Sequence, residues 1–65
     1  MCGMVSLRAF QRHLRQHGCV VLRQGGRHEI WVNRATDQRA PVPRHRELPL
    51  TLARVICRQL GVPPL

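Results

Sequence analysis

The apolar positions of this 65-residue chain follow two different periods. Between residues 6 and 17, Leu7, Phe10 and Leu14 recur at the spacing i, i+3, i+7, which is typical of one face of a helix. The segment begins with a serine, a residue type that caps helix starts, and Gly18 favours the left-handed backbone that ends helices. The pattern predicts an amphipathic helix over residues 6–17.

The middle of the chain has the composition of β-strands. Residues 19–23 and 28–33 are rich in β-branched side chains, and the intervening Gln24-Gly25-Gly26-Arg27 is typical of a hairpin turn. A third strand is predicted over residues 39–43, where Pro41 and Pro43 remove two backbone donors. Because both prolines remove backbone donors from the same side of the strand, that strand must lie at an edge of the sheet.

A second helix is predicted from Pro49 or Leu50 to Leu60. Its apolar positions follow the helical spacing, with Pro49 in the first turn and Gly61 at the end. The element order α-β-β-β-α predicts a small α+β fold with both helices on one face of a three-stranded antiparallel sheet. The whole chain, residues 1–65, forms a single domain in this interpretation.

Composition limits the stability of such a domain and indicates its ligand. A chain this short has a thin core, so a binding partner would stabilise it. The formal net charge is +8, and every basic residue is arginine, which favours a polyanion held through bidentate phosphate contacts. Codon bias in a GC-rich genome explains the absence of lysine equally well, but the positive field remains.

The cysteines and the apolar segments predict the cellular compartment of the protein. Cys2, Cys19 and Cys57 are odd in number and lack metal-binding spacing, which indicates a reducing compartment. The sequence shows neither a membrane-spanning run nor a signal peptide. A cytoplasmic protein without a membrane partner is therefore expected.

The histidines are the main candidates for chemistry. The three carboxylates lie in separate elements, which argues against a carboxylate-bound catalytic metal. His13 and His17 are spaced i, i+4 and Cys19 follows, which offers a zinc site with a distant fourth ligand, His45 or Cys57, but metal motifs usually supply tighter ligand pairs. No metal and no cofactor are expected.

His28 and His45 lie in the two segments best suited to phosphate chemistry. His28 follows Gly25-Gly26-Arg27, where glycine allows close approach of a phosphate and Arg27 can bind its charge. Strand parity with Ile30 and Val32 supports the alternative that His28 completes the core. His45 lies between Arg44 and Arg46, where it is either a second acid or base or a solvated loop histidine.

Three segments occur in order along the chain: Gly-Gly-Arg-His-Glu-Ile-Trp at 25–31, Pro-Val-Pro-Arg-His-Arg-Glu at 41–47 and Gln-Leu-Gly-Val at 59–62. Together they resemble the HicA-type messenger-RNA interferase toxins. The resemblance implies a double-stranded-RNA-binding-like fold, cleavage of messenger RNA and neutralisation by a HicB-type antitoxin, with higher-order toxin-antitoxin assembly as a further option. The family's essential histidine maps onto His28, and Arg27 replaces the serine of its Gly-Ser-His motif.

The mechanism implied by this resemblance is metal-free transesterification, in which the RNA 2′-hydroxyl attacks the adjacent phosphate. His28 would be the catalytic residue and His45 the candidate for a second acid or base. Gly26, Arg27, Arg44 and Arg46 would contact phosphates. Two alternatives stay open at this point, a non-catalytic RNA-binding module of the same fold and an interaction protein whose core a partner completes.

Overall fold

The computed structural model describes residues 3–65 and contains two helices and two antiparallel sheets. In chain order the elements are β1 (Met4–Ser6), α1 (Leu7–Gln16), β2 (Cys19–Gln24), β3 (His28–Asn33), β4 (Gln38–Pro43), β5 (Glu47–Pro49) and α2 (Leu50–Leu60). The larger sheet has the order β2-β3-β4, and side chains from both helices share one hydrophobic core on one of its faces. The predicted α+β fold is confirmed, with the proline-containing strand at an edge.

The helix ends follow from their capping residues. Ser6 Oγ accepts the N–H of Ala9 at 3.1 Å, as expected of a helix N-cap. Gly18 and Gly61 both have positive φ, which glycine adopts without the steric penalty of a Cβ. Pro49 immediately precedes α2, rather than lying in its first turn as predicted.

A two-stranded ribbon joins the beginning of the described chain to the segment before α2, and the sequence did not predict it. β1 pairs antiparallel with β5, with Val5 opposite Leu48. Leu48 is buried in the core, and Val5 packs against the same cluster. The ribbon therefore adds apolar contacts that the three-stranded sheet alone would lack, which is important in so short a chain.

The core lies between the helices and the larger sheet, and Trp31 is its largest fully buried side chain. Cys19 and Cys57 are free thiols within it. Burial raises the pKa of both thiols, and the charge of Cys19 raises that of Cys57 further. Both cysteines are therefore packing residues with little thiolate character. Cys2 lies outside the described residues.

Within residues 3–65, neither helix has the length and apolar character needed to cross a bilayer.

Candidate functional site

The two faces of β3 decide the role available to His28. Glu29, Trp31 and Asn33 are buried on the face that meets the helices, whereas His28 is exposed on the opposite face. The alternative in which His28 completes the core is therefore wrong. Alternation along the strand does hold, but polar Glu29 and Asn33 occupy core positions, which hides the true apolar face in the sequence.

Glu29 can occupy a core position because its carboxylate is hydrogen-bonded there. Trp31 Nε1 donates to Oε1 at 3.1 Å, and Gln11 Nε2 donates to the same oxygen at 3.3 Å. Gln24 Nε2 donates to Oε2 at 3.4 Å. Three donors from β2, β3 and α1 thus hold the start of β3 in one orientation, and this orientation directs the neighbouring His28 outward.

The hairpin loop between β2 and β3 depends on glycine at one of its two glycine positions. Gly25 donates its N–H to the His28 carbonyl at 2.9 Å. A Cβ on Gly25 would lie 2.9 Å from that same oxygen, closer than such contacts normally come. A Cβ on Gly26 would meet no atom within 4 Å, so the backbone at Gly26 is open to a ligand.

Two grooves meet at the end of the larger sheet and contain most of the residues singled out in the sequence. The first, here called the histidine groove, has a volume of about 420 Å³ and is lined by Arg27, His28, Pro41, Pro43, His45 and Leu52. The second, the arginine groove, has a volume of about 470 Å³ and is lined by Gly26, Arg27, Arg44 and His45. Arg27 and His45 belong to both grooves, so the two form one continuous surface.

A backbone hydrogen bond holds the two segments of this surface together. Arg44 donates its N–H to the Arg27 carbonyl at 3.1 Å, directly beyond the pairing of His28 with Pro43. The segment after β4 is therefore fixed against the hairpin loop, and β5 fixes its other end. As a result, His28 and His45 line the same groove although they are far apart in the sequence.

Arg23 is a neighbour of His28 that the sequence did not indicate. A bulge in β2 shifts the register between Val21 and Arg23, so that Arg23 pairs with Ile30 on the outer face of the sheet. Arg23 and His28 line a further hollow of about 290 Å³ together with Gly25 and Ile30. Strand parity alone would have placed Arg23 on the core face, and a bulge has no reliable sequence signal.

The charges around the grooves favour an anionic ligand. No carboxylate is found among the described residues that line the histidine and arginine grooves. Asp37 lies 3.6 Å from Arg39 in an exposed ion pair, and Glu29 is buried in the core. Arg46 is exposed and lines neither groove, and its carbonyl instead accepts the N–H of Leu7 at 2.9 Å.

The helical histidines lie apart from these grooves. His13 and His17 are in edge-to-face contact with ring centroids 4.7 Å apart, and His13 Nε2 donates to the Pro63 carbonyl at 2.7 Å. In the described part of the chain, no group of three or more potential metal-ligating side chains is brought together. His13 thus fastens the C-terminal segment to α1.

A comparison with models of protein families shows which family this chain belongs to. Residues 8–62 match the model of the HicA toxin of bacterial toxin-antitoxin systems. The chain belongs to the HicA toxin family. Among the curated proteins and among the solved structures, nothing matched this chain.

The family match covers the whole candidate site. The matched region covers α1 from its second residue, all three strands of the larger sheet and α2, and it contains every residue of both grooves. As a HicA toxin, the chain acts within a toxin-antitoxin pair. Arg27, which stands where the resemblance leads one to expect serine, lines both grooves from the hairpin loop.

Proposed function

We propose that this HicA toxin is an endoribonuclease that cleaves messenger RNA without a metal ion and uses His28 as its catalytic residue. The observation that carries the proposal is that exposed His28 lines one groove with His45 and Arg27. Two imidazoles and a guanidinium on a carboxylate-free surface are suited to moving protons at a phosphodiester.

The reaction is a transesterification within the RNA. His28 accepts the proton of a 2′-hydroxyl as its oxygen attacks the adjacent phosphorus, and the bond from phosphorus to the 5′-oxygen breaks. His45 donates a proton to the departing 5′-oxygen, and the phosphate becomes a 2′,3′-cyclic ester. Because the 2′-hydroxyl is the nucleophile, DNA is not a substrate.

The arginines supply the charge that this reaction requires. Arg27 lies between the two grooves, where its guanidinium can bind the phosphate as negative charge develops on it. Arg44 and the open backbone of Gly26 would hold a neighbouring phosphate in the arginine groove. Arg46, which lines neither groove, would act at longer range through its charge.

The two grooves are also the surface that a protein partner would cover. We propose a HicB-type antitoxin that neutralises the toxin by covering the two grooves, with assembly into larger toxin-antitoxin complexes as an extension of this pairing. The place of action would be the cytoplasm, where messenger RNA is found. Covering these grooves would block RNA directly, without any change of fold.

The decisive experiment compares the wild-type chain with His28→Ala for cleavage of a transcript in EDTA and for growth arrest. The variant should cleave about 10² to 10⁴ times more slowly, which is the usual contribution of a positioned acid or base. His17→Ala is the matched control, because His17 is an exposed histidine outside both grooves. Full activity in His28→Ala would refute the assignment, and loss of wild-type cleavage in EDTA would refute the metal-free mechanism.

The same experiment separates the enzyme from a non-catalytic RNA-binding module. Such a module would bind the transcript, leave it intact and lose little affinity in His28→Ala, while depending on Arg27 and Arg44. Wild-type binding without cleavage would therefore favour the module over the enzyme.

A further inference from the structure

One wall of the histidine groove is apolar. Neither proton transfer nor phosphate binding requires apolar side chains there. Pro41 and Pro43 belong to the outer face of β4, where they pair with Ile30 and His28. Leu52, in the first turn of α2, completes the wall and is 37% exposed. Three adjoining apolar side chains thus face solvent beside two histidines.

The apolar wall is confined to the histidine groove and is not part of a larger apolar face of α2. The core positions of α2 are Ala53, Ile56, Cys57 and Leu60, and Leu52 lies on the flank of this set. Val55 is also apolar and exposed on α2, at 46%, yet it lines neither groove. Of these two exposed residues, therefore, only Leu52 is placed where a ligand of the histidine groove would touch it.

The surroundings of the wall indicate the chemistry of its occupant. Arg27 and the two histidines border the apolar surface, and the adjoining arginine groove extends the positive charge. A ligand that complements both parts is anionic at one end and flat and apolar at the other. A nucleotide in single-stranded RNA has this form, since its phosphate is charged and its base has apolar faces.

We propose that Leu52, Pro41 and Pro43 form a base-binding wall that holds the nucleobase adjoining the scissile phosphate. This inference rests on the proposed function and extends it from the phosphate to the base. The three side chains carry no hydrogen-bonding group, so they contact the face of a base rather than read its edges. The wall therefore favours unpaired nucleotides of any base over a duplex, in which the base faces are stacked.

The test measures binding rather than cleavage, so that it is independent of His28. Two single strands on the order of six nucleotides are compared, one intact with 2′-O-methyl groups that block cleavage and one of equal length and charge without bases. Fluorescence anisotropy gives the affinity of each strand. Wild type should bind the intact strand about fivefold more tightly, the gain expected when roughly 40 Å² of apolar surface is removed from water.

Variants then locate the source of this preference. Leu52→Ala should reduce the ratio of the two affinities at least about threefold, whereas Leu52→Met should preserve it because the side chain stays apolar. Val55→Ala is the matched control and should keep the wild-type ratio. Melting temperatures show whether each variant is folded.

Two outcomes overturn the inference. If the wild type binds both strands equally, or if Leu52→Ala keeps the wild-type ratio, the wall does not hold a base and suits another occupant, such as an acidic peptide with apolar residues. Neither outcome affects the cleavage test of His28→Ala, so the base-binding wall and the endoribonuclease activity fail separately.

Discussion

Asn33 connects the end of α2 to the turn after β3, and its replacement should measure how much this connection stabilises the fold. Its Nδ2 donates to the Leu60 carbonyl at 2.7 Å, and its Oδ1 accepts the N–H of Ala35 at 3.0 Å. Asn33 is 4% exposed, and its bond to the Leu60 carbonyl is buried, whereas the bond from the exposed Ala35 is only partly buried. Asn33→Ala removes both bonds and leaves the Leu60 carbonyl without this donor.

The expected loss follows from these two bonds. A hydrogen bond contributes about 1 kcal/mol net, and the buried Leu60 carbonyl left without its donor adds about 1 kcal/mol or more, so Asn33→Ala should cost about 2 to 3 kcal/mol. A core of this size rarely supplies more than about 3 to 5 kcal/mol, so the variant should lose about 40% of the stability or more. The corresponding drop in melting temperature is on the order of 10 to 20 °C.

Thermal unfolding followed by circular dichroism, with urea unfolding in parallel, measures this loss. Asn33→Asp should be at least as unstable at neutral pH, because a carboxylate cannot donate to the Leu60 carbonyl and would repel it. Thr36→Ala, in the exposed part of the same turn, should change the free energy of unfolding by less than about 1 kcal/mol. An Asn33→Ala variant within about 0.5 kcal/mol of wild type would show that this reasoning is wrong.

The remaining predictions concern the hairpin loop and its charge. Gly25→Ala should lower the melting temperature and slow cleavage, because its Cβ would approach the His28 carbonyl to 2.9 Å, whereas Gly26→Ala should leave stability nearly unchanged. Equal melting temperatures for the two variants would contradict this. In a plot of log affinity for single-stranded RNA against log salt concentration, Arg27→Ala should reduce the slope by about 0.7, the effect of one lost phosphate contact. Arg34→Ala removes the same charge from a turn outside both grooves and should reduce the slope less; equal reductions would indicate a general charge effect.

The sequence predicted the elements whose signals are local. The helix caps at Ser6, Gly18 and Gly61, the glycine hairpin and the proline-marked edge strand all depend on residues within a few positions of one another. The β1–β5 ribbon depends on two three-residue segments that lie far apart in the sequence, and such pairs have no local pattern. Their pairing follows only from the common core that Leu48 and Val5 share.

The sequence indicated residues that line the two grooves, but it did not indicate how they are arranged. The sequence indicated His28, Arg27, Arg44 and His45, but it could not decide which face of β3 His28 occupies. That face depends on three hydrogen bonds to Glu29, from Trp31 on the same strand, Gln24 on β2 and Gln11 on α1, and the sequence pattern does not show that these side chains meet. The groove position of Leu52 was not predicted either, because the helical period places Leu52 on the same apolar stripe as the core residues Ile56 and Leu60.

The β1–β5 ribbon also has a consequence for the timing of synthesis. β5 is made only after β1, His28 and His45, and α2 follows it. A nascent chain that stalls before α2 therefore lacks both Leu52 and the closed core, although His28 and His45 have already been translated. The candidate site should therefore form only after α2 has been made.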